Sequence, residues 1–153
     1  MTAATHRILI TIDERFAAVV AADPLEAMAV RVLESEEVRM AELGVLVTDD
    51  ETVRRLNREY AGDDHATDVL SFSLREGEEF SNPDGVERLG EVIISHPTAV
   101  RQAEEAGHDV EAEVAHLLVH GILHLLGYDH VEPQEEAVMR GKEDDLLSGA
   151  HRH

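Results

Sequence analysis

The chain contains no cysteine. Disulfides, thiol nucleophiles and thiolate metal ligands are therefore excluded, and the absence is compatible with a reducing cytoplasm. Tryptophan is missing too and aromatic residues make up only 3%, so stacking platforms for single-stranded bases are scarce. Basic side chains are few: 13 Lys and Arg stand against 33 Asp and Glu, a formal charge of −20. Acids outnumber bases in every third of the chain instead of forming a tail. That describes a solvated acidic surface, which repels nucleic acid at long range. Any RNA-directed role must then work through a local cationic patch. No apolar run approaches the ~18 residues of a membrane span. The stretch Phe16 to Ala22 is short, lies between Arg15 and Asp23, and lacks the basic lead-in of a secretion signal. A soluble, cytoplasmic protein without a membrane partner is expected.

What is present is enough for a core. With 153 residues and 43% hydrophobic content, one domain burying roughly 70% of the unfolded chain's surface is expected. Its limits are set at residues 1–148, with 149–153 as a frayed tail. Arg7 to Ile12 is compact and β-branched, a first strand. Asp23-Pro24-Leu25-Glu26 opens a helix with Asp23 as its cap, and Leu25, Met28, Ala29, Val32 and Leu33 form its core face. Val38 to Val47 alternates as a strand. Thr48 to Glu51 caps a second helix that runs to Tyr60 and buries Val53, Leu56 and Tyr60.

After a polar loop from Ala61 to Thr67, Val69 to Leu74 reads as a strand. A long acidic loop covers Arg75 to Arg88, and Leu89 to Ile94 is a further strand. Ser95-His96-Pro97 starts a third helix that Gly107 stops. A fourth begins near Val110, and Pro133 starts a fifth that fades at Ser148-Gly149. The order βαβαββααα, without repeats or linkers, argues for one α+β domain with a small mixed sheet packed by helices.

The chemistry concentrates in His120-Gly121-Ile122-Leu123-His124-Leu125-Leu126-Gly127-Tyr128-Asp129-His130. Residues four apart share one helical face, so His120 and His124 can aim two imidazoles at one point. Gly127 can end the helix in a left-handed turn, letting the chain return with His130. Three nitrogens and an open fourth position describe a catalytic metal site rather than a closed structural one. Imidazole suits zinc first, with nickel, iron or copper as alternatives. Three neutral ligands leave the ion its charge, enough to bring a coordinated water near pH ~7. Val114, Leu118, Ile122 and Leu125 form the helix's apolar stripe, while His116, His120 and His124 rise on another. His116 is open to several readings: fourth ligand, proton shuttle, partner of a ligand, or a histidine at the cleft rim. Asp129 can orient an imidazole or cap the next helix. His65 is expected in solvent, and His151 and His153 in the tail.

The spacing matches the metzincin protease pattern H-E-x-x-H-x-x-G-x-x-H except at its second position. There Gly121 replaces the glutamate that serves as general base, which argues against a protease of that mechanism. The whole string instead resembles the signature of the YbeY family, bacterial metal-dependent single-strand endoribonucleases of rRNA 3′-end maturation and ribosome quality control. Thr67-Asp68-Val69-Leu70-Ser71-Phe72 is similar to that family's T-[ND]-V-L-S-F strand, and Leu89 to Ile94 to its L-G-D-[IV]-x-[IL] strand. The resemblance spans most of residues 40–145.

It implies that His120, His124 and His130 bind one zinc ion in a zincin-like cleft, that the substrate is single-stranded rRNA, and that the ribosome or its proteins supply specificity. There are departures. The family's Y-R-G reads Tyr60-Ala61-Gly62 here, so its phosphate-contacting arginine is absent. Ala66 and Ser73 stand where prolines are usual, and Glu91 where aspartate is. Arg54 and Arg58, four apart on the second helix, offer a replacement, with Arg58 the candidate. Two other readings stay open: a metal-dependent hydrolase of another substrate, and a non-catalytic ribosome-assembly factor with structural zinc.

Overall fold

The computed structural model describes residues 6–38, 40–61, 68–73, 87–127 and 133–150. The elements follow the order β1 (Arg7–Ile12), a 3-10 turn (Glu14–Phe16), α1 (Ala22–Ser35), β2 (Ala41–Thr48) and α2 (Asp50–Ala61). Then come β3 (Val69–Ser73), β4 (Glu87–Ser95), α3 (His96–Ala106), α4 (Val110–Leu125) and α5 (Pro133–Ala150). This is the α+β order expected from the sequence. The helix α5 extends to Ala150, and residues 151–153 lie outside the described residues.

The four strands form one mixed sheet in the order β1-β2-β4-β3. β1, β2 and β4 run parallel, while β3 is antiparallel to β4. Each β-strand shows its side chains alternately to two faces. Ile10, Val45, Val92 and Ser71 lie in register across one of them, and Ile12, Val47, Ile94 and Val69 lie in the next row. This face meets α1 and α4, which contribute Leu25, Ala29, Val32, Val114, Leu118 and Ile122 to the buried core. Ile93, of opposite parity, is buried as well; α2 contacts β3 and β4.

Local starts and stops follow the side chains. Asp49 accepts the Thr52 backbone N–H at 2.8 Å and so caps α2. Ser95 caps α3 by accepting from the Thr98 N–H, and Gly107 closes it at φ 74°. Four expectations need correcting. β4 already begins at Glu87, so Glu87 and Arg88 belong to the strand and not to the loop expected to reach Arg88. α1 begins at Ala22 with Ala21 as its cap residue and no side-chain cap bond, so Asp23 lies inside the first turn, where its charge still suits the helix dipole. β2 begins at Ala41, leaving Met40 exposed. Tyr60 is 71% exposed; its ring leans on Phe72 at 5.5 Å, while Asn57 takes the buried position on α2. Helical spacing alone cannot tell a core contact from a rim contact one turn further on.

Two glycines set how closely elements approach. Gly90 adopts φ +135°, and a Cβ there would lie 1.9 Å from the Phe72 carbonyl oxygen. This is the irregular register between β2 and β4 at Glu42/Leu43, where only glycine is free of strain. On α4, a Cβ at Gly121 would lie 2.6 Å from Val92 Cγ1 and 3.2 Å from Val69 Cγ2. The helix therefore lies directly on β3 and β4 at this point, and Ser71 Oγ donates to the Gly121 carbonyl at 2.9 Å.

Candidate metal centre

The contact at Gly121 fixes the rotation of α4. With Gly121, Ile122 and Leu125 buried, the stripe of His116, His120 and His124 is left half-buried on another side. His120 and His124 face each other with their Nε2 atoms 3.1 Å apart. Two nitrogens each ~2.0–2.1 Å from one tetrahedral ion would stand about 3.4 Å apart. The pair as placed fits two of a zinc ion's ligands with little adjustment. Gly127, at φ 104°, follows the helix, and its N–H returns to the His124 carbonyl at 3.0 Å; the left-handed turn expected there is present. The expected third ligand, His130, lies outside the described residues, as do Tyr128, Asp129 and His65. Among the described residues no group of three metal-binding side chains forms.

The far side of His120 is occupied by a residue the sequence reading did not single out. His120 Nδ1 lies 2.6 Å from Glu143 Oε2, and His116 Nε2 lies 3.3 Å from Glu143 Oε1. Glu143 comes from α5 and is buried. Its helical neighbours at i−4 and i+3, Met139 and Leu146, are buried in the core, so the glutamate sits on the inner stripe of α5. That position is the signal available in the sequence: an acid at helical spacing between apolar residues must find a partner or pay several kcal/mol in desolvation.

α5 is held in place by more than packing. Arg31 Nε donates to the Leu146 carbonyl at 3.3 Å, and Lys142 Nζ to Glu36 at 3.0 Å. Beyond His116 the row continues outward. His116 Nδ1 stands 3.9 Å from Glu113 Oε2, whose Oε1 is 2.6 Å from His108 Nε2.

Burial works against ionisation of Glu143, but the hydrogen bonds and charges of His116 and His120 outweigh it and hold the carboxyl at about 2. The same hydrogen bond raises His116 above the ordinary imidazole value against its burial, helped by the charges of Glu143, Glu113 and Asp68. Asp68 immediately precedes β3 and is itself held by Gln102 Nε2 at 3.2 Å. His116 thus reaches the carboxylate that also holds His120.

Arg58 lies exposed in the last turn of α2. Arg54 and Arg55 are exposed on the same helix. The side chain of Ala61 lies outside the described set, as do Gly62, Ala66 and Thr67 around it.

Residues 10–151 match the family model described as endoribonuclease YbeY. The chain belongs to the YbeY family. The YbeY endoribonuclease of Desulforamulus reducens is 54% identical over 108 residues, covering 70% of this chain and 71% of its own. That of Aquifex aeolicus is 44% identical over 144 residues, covering 94% and 91%. A Thermotoga maritima protein solved in solution superposes with a TM-score of 0.61 at 25% identity, covering 95% of this chain and 89% of its own. Membership of the YbeY family thus agrees with the resemblance of the histidine string and of the two strand motifs. Those strands, β3 and β4, are the ones on which Gly121 rests. Among the described residues no helix is long and apolar enough to cross a membrane.

Proposed function

We propose that this chain is a zinc-dependent single-strand endoribonuclease acting in rRNA 3′-end maturation and ribosome quality control. The observation that carries the reading is the facing pair of His120 and His124 nitrogens on a helix of a YbeY-family chain. His120, His124 and His130 would hold the ion. Zinc bound there supplies Lewis acidity and brings a water's pKa toward neutrality, which is what phosphodiester hydrolysis needs.

The chain's own residues do the rest. The helix α4 holds two imidazoles rigidly, because Gly121 seats it on the sheet without a side chain between. No glutamate fits at position 121 without displacing Val92, which supports phosphodiester over peptide chemistry. Arg58 is the residue assigned to meet the substrate phosphate, a charge-assisted contact that gains in a partly desolvated cleft. The formal net charge of −20 makes weak intrinsic RNA binding the expectation, so the ribosome or a ribosomal protein would deliver the substrate.

The test is metal analysis of the purified protein, followed by cleavage of a single-stranded rRNA fragment by the wild type beside His120→Ala. About one zinc per chain is expected, with cleavage falling by more than the ~100-fold typical of losing a ligand's supporting partner. Cleavage surviving the substitution would sink the assignment.

A further inference from the structure

Glu143 is a carboxylate from a different helix, buried beside His120 and sharing its two oxygens between His120 Nδ1 and His116 Nε2. We infer that Glu143 is the positioning residue of the metal centre: it fixes the tautomer and ring orientation of His120, and His116 braces it from the other side. The inference rests on the metal-centre reading above.

An ionised carboxylate only accepts hydrogen bonds. At 2.6 Å from Glu143 Oε2, His120 Nδ1 must therefore carry the proton. In the neutral ring Nε2 is then left with its lone pair, and it is Nε2 that faces His124. Which ring nitrogen is free to bind a metal is set by the hydrogen bond the other one makes. His116 Nε2 is engaged by Glu143 Oε1 at 3.3 Å, so the same logic makes His116 a donor to the carboxylate. Its other nitrogen faces Glu113, 3.9 Å away. Of the readings open for His116, that of a residue acting through a partner of the ligand fits this placement.

There is a consequence for assembly. The helix α5 is docked by Met139 and Leu146 and delivers Glu143 from that docked face. The geometry of His120 therefore depends on a helix that supplies none of the proposed ligands, and loosening α5 should loosen the centre.

The experiment uses the full chain as wild type, Glu143→Gln and Glu143→Ala. In the metal-free protein, long-range ¹H–¹⁵N correlation spectra of the imidazoles report the His120 tautomer directly. Protonation at Nδ1 is expected in the wild type, with the other tautomer appearing in Glu143→Ala. Zinc affinity, by competition with a chromophoric chelator, should fall about 10–100-fold in Glu143→Ala. Glu143→Gln, which keeps one acceptor oxygen at the same place, should fall between the two. A purely structural role would lower the melting temperature without moving the tautomer.

An unchanged His120 tautomer in Glu143→Ala overturns the inference, whatever the melting temperature or zinc affinity does. Should that variant fail to fold, Glu143→Met, which keeps the length of the side chain but has no oxygen acceptor, carries the same two readouts. A wild type that binds no zinc defeats the metal-centre reading instead, while the tautomer of the metal-free protein still decides what Glu143 does.

Discussion

Glu143 and Asp50 are both carboxylates held against burial, and their partners differ in kind. Asp50, at the start of α2, accepts from Ser95 Oγ, from Thr98 Oγ1 at 2.6 Å and from Arg101 at 2.9 Å. Burial opposes its ionisation, but the two hydroxyls and the guanidinium together bring its pKa below the ordinary value. The hydroxyls bond back within the same cluster: Ser95 Oγ also accepts from the Thr98 N–H, and Thr98 Oγ1 accepts from Arg101 at 2.8 Å. The cluster ties α2 to the end of β4 and the start of α3. Glu143 is held by imidazoles, each with a second nitrogen to use, and one of those nitrogens faces His124. A carboxylate closed by hydroxyls and arginine is a clamp. One closed by histidines passes its orientation on to another group.

Loss of the Asp50 carboxylate should have the largest effect on stability. Asp50→Ala leaves Ser95 and Thr98 without their acceptor and should cost about 2–3 kcal/mol by urea unfolding, with zinc affinity unmoved. A matching loss of zinc affinity would show that the two clusters are not separate. The sign with pH follows from the lowered pKa of Asp50. Its contribution is complete above the ordinary carboxyl value of 3.8 and disappears as pH falls through the lower folded value. The stability gap between wild type and Asp50→Ala should therefore begin to close as the pH falls past 3.8 and narrow further with more acid.

Gly121→Ala sharpens the contrast from the other side. The new methyl would meet Val92 Cγ1 at 2.6 Å, and overpacking of this kind costs about 1–3 kcal/mol, part of it offset by alanine's better helix propensity. Because the displaced helix carries His120 and His124, zinc affinity should fall along with stability, while the acid dependence due to Asp50 stays. Retained zinc affinity at reduced stability would mean that the histidine face moves independently of the sheet contact.

The smallest effect is expected for Arg58→Ala. Arg58 lies on α2, the helix that Asp50 pins, and the proposed function has it meet the substrate phosphate. A fall in kcat/KM of about fivefold to tenfold, equivalent to about 1.0–1.4 kcal/mol, should appear without a change in zinc affinity. Activity equal to the wild type's would remove Arg58 from the site.

Periodicity made the elements legible. The buried stripe of α1, the helix starts within Thr48 to Glu51 and at Ser95-His96-Pro97, and the left-handed stop at Gly127 all follow from local chemistry within a few residues. The histidine pair was legible for the same reason, since residues four apart on a helix must meet. Tyr60 and Met40 were not, because burial at the end of an element depends on what lies across from it. Glu143 was the larger omission: it stands 23 residues beyond His120 in the chain and 2.6 Å from it in space.

Gly121 shows both sides of that division. Its identity alone argued against a protease base, because glycine has no carboxylate. Only the fold explains why glycine is there, with Val92 and Val69 of two strands filling the space a side chain would need. Element order, the facing of His120 and His124, and the family to which the motifs point were all readable along the chain, because each rests on spacing within short local stretches. The tertiary structure alone decided which way the histidine face turns and which carboxylate stands behind it. Both depend on contacts between segments far apart in the chain, and no local pattern encodes them.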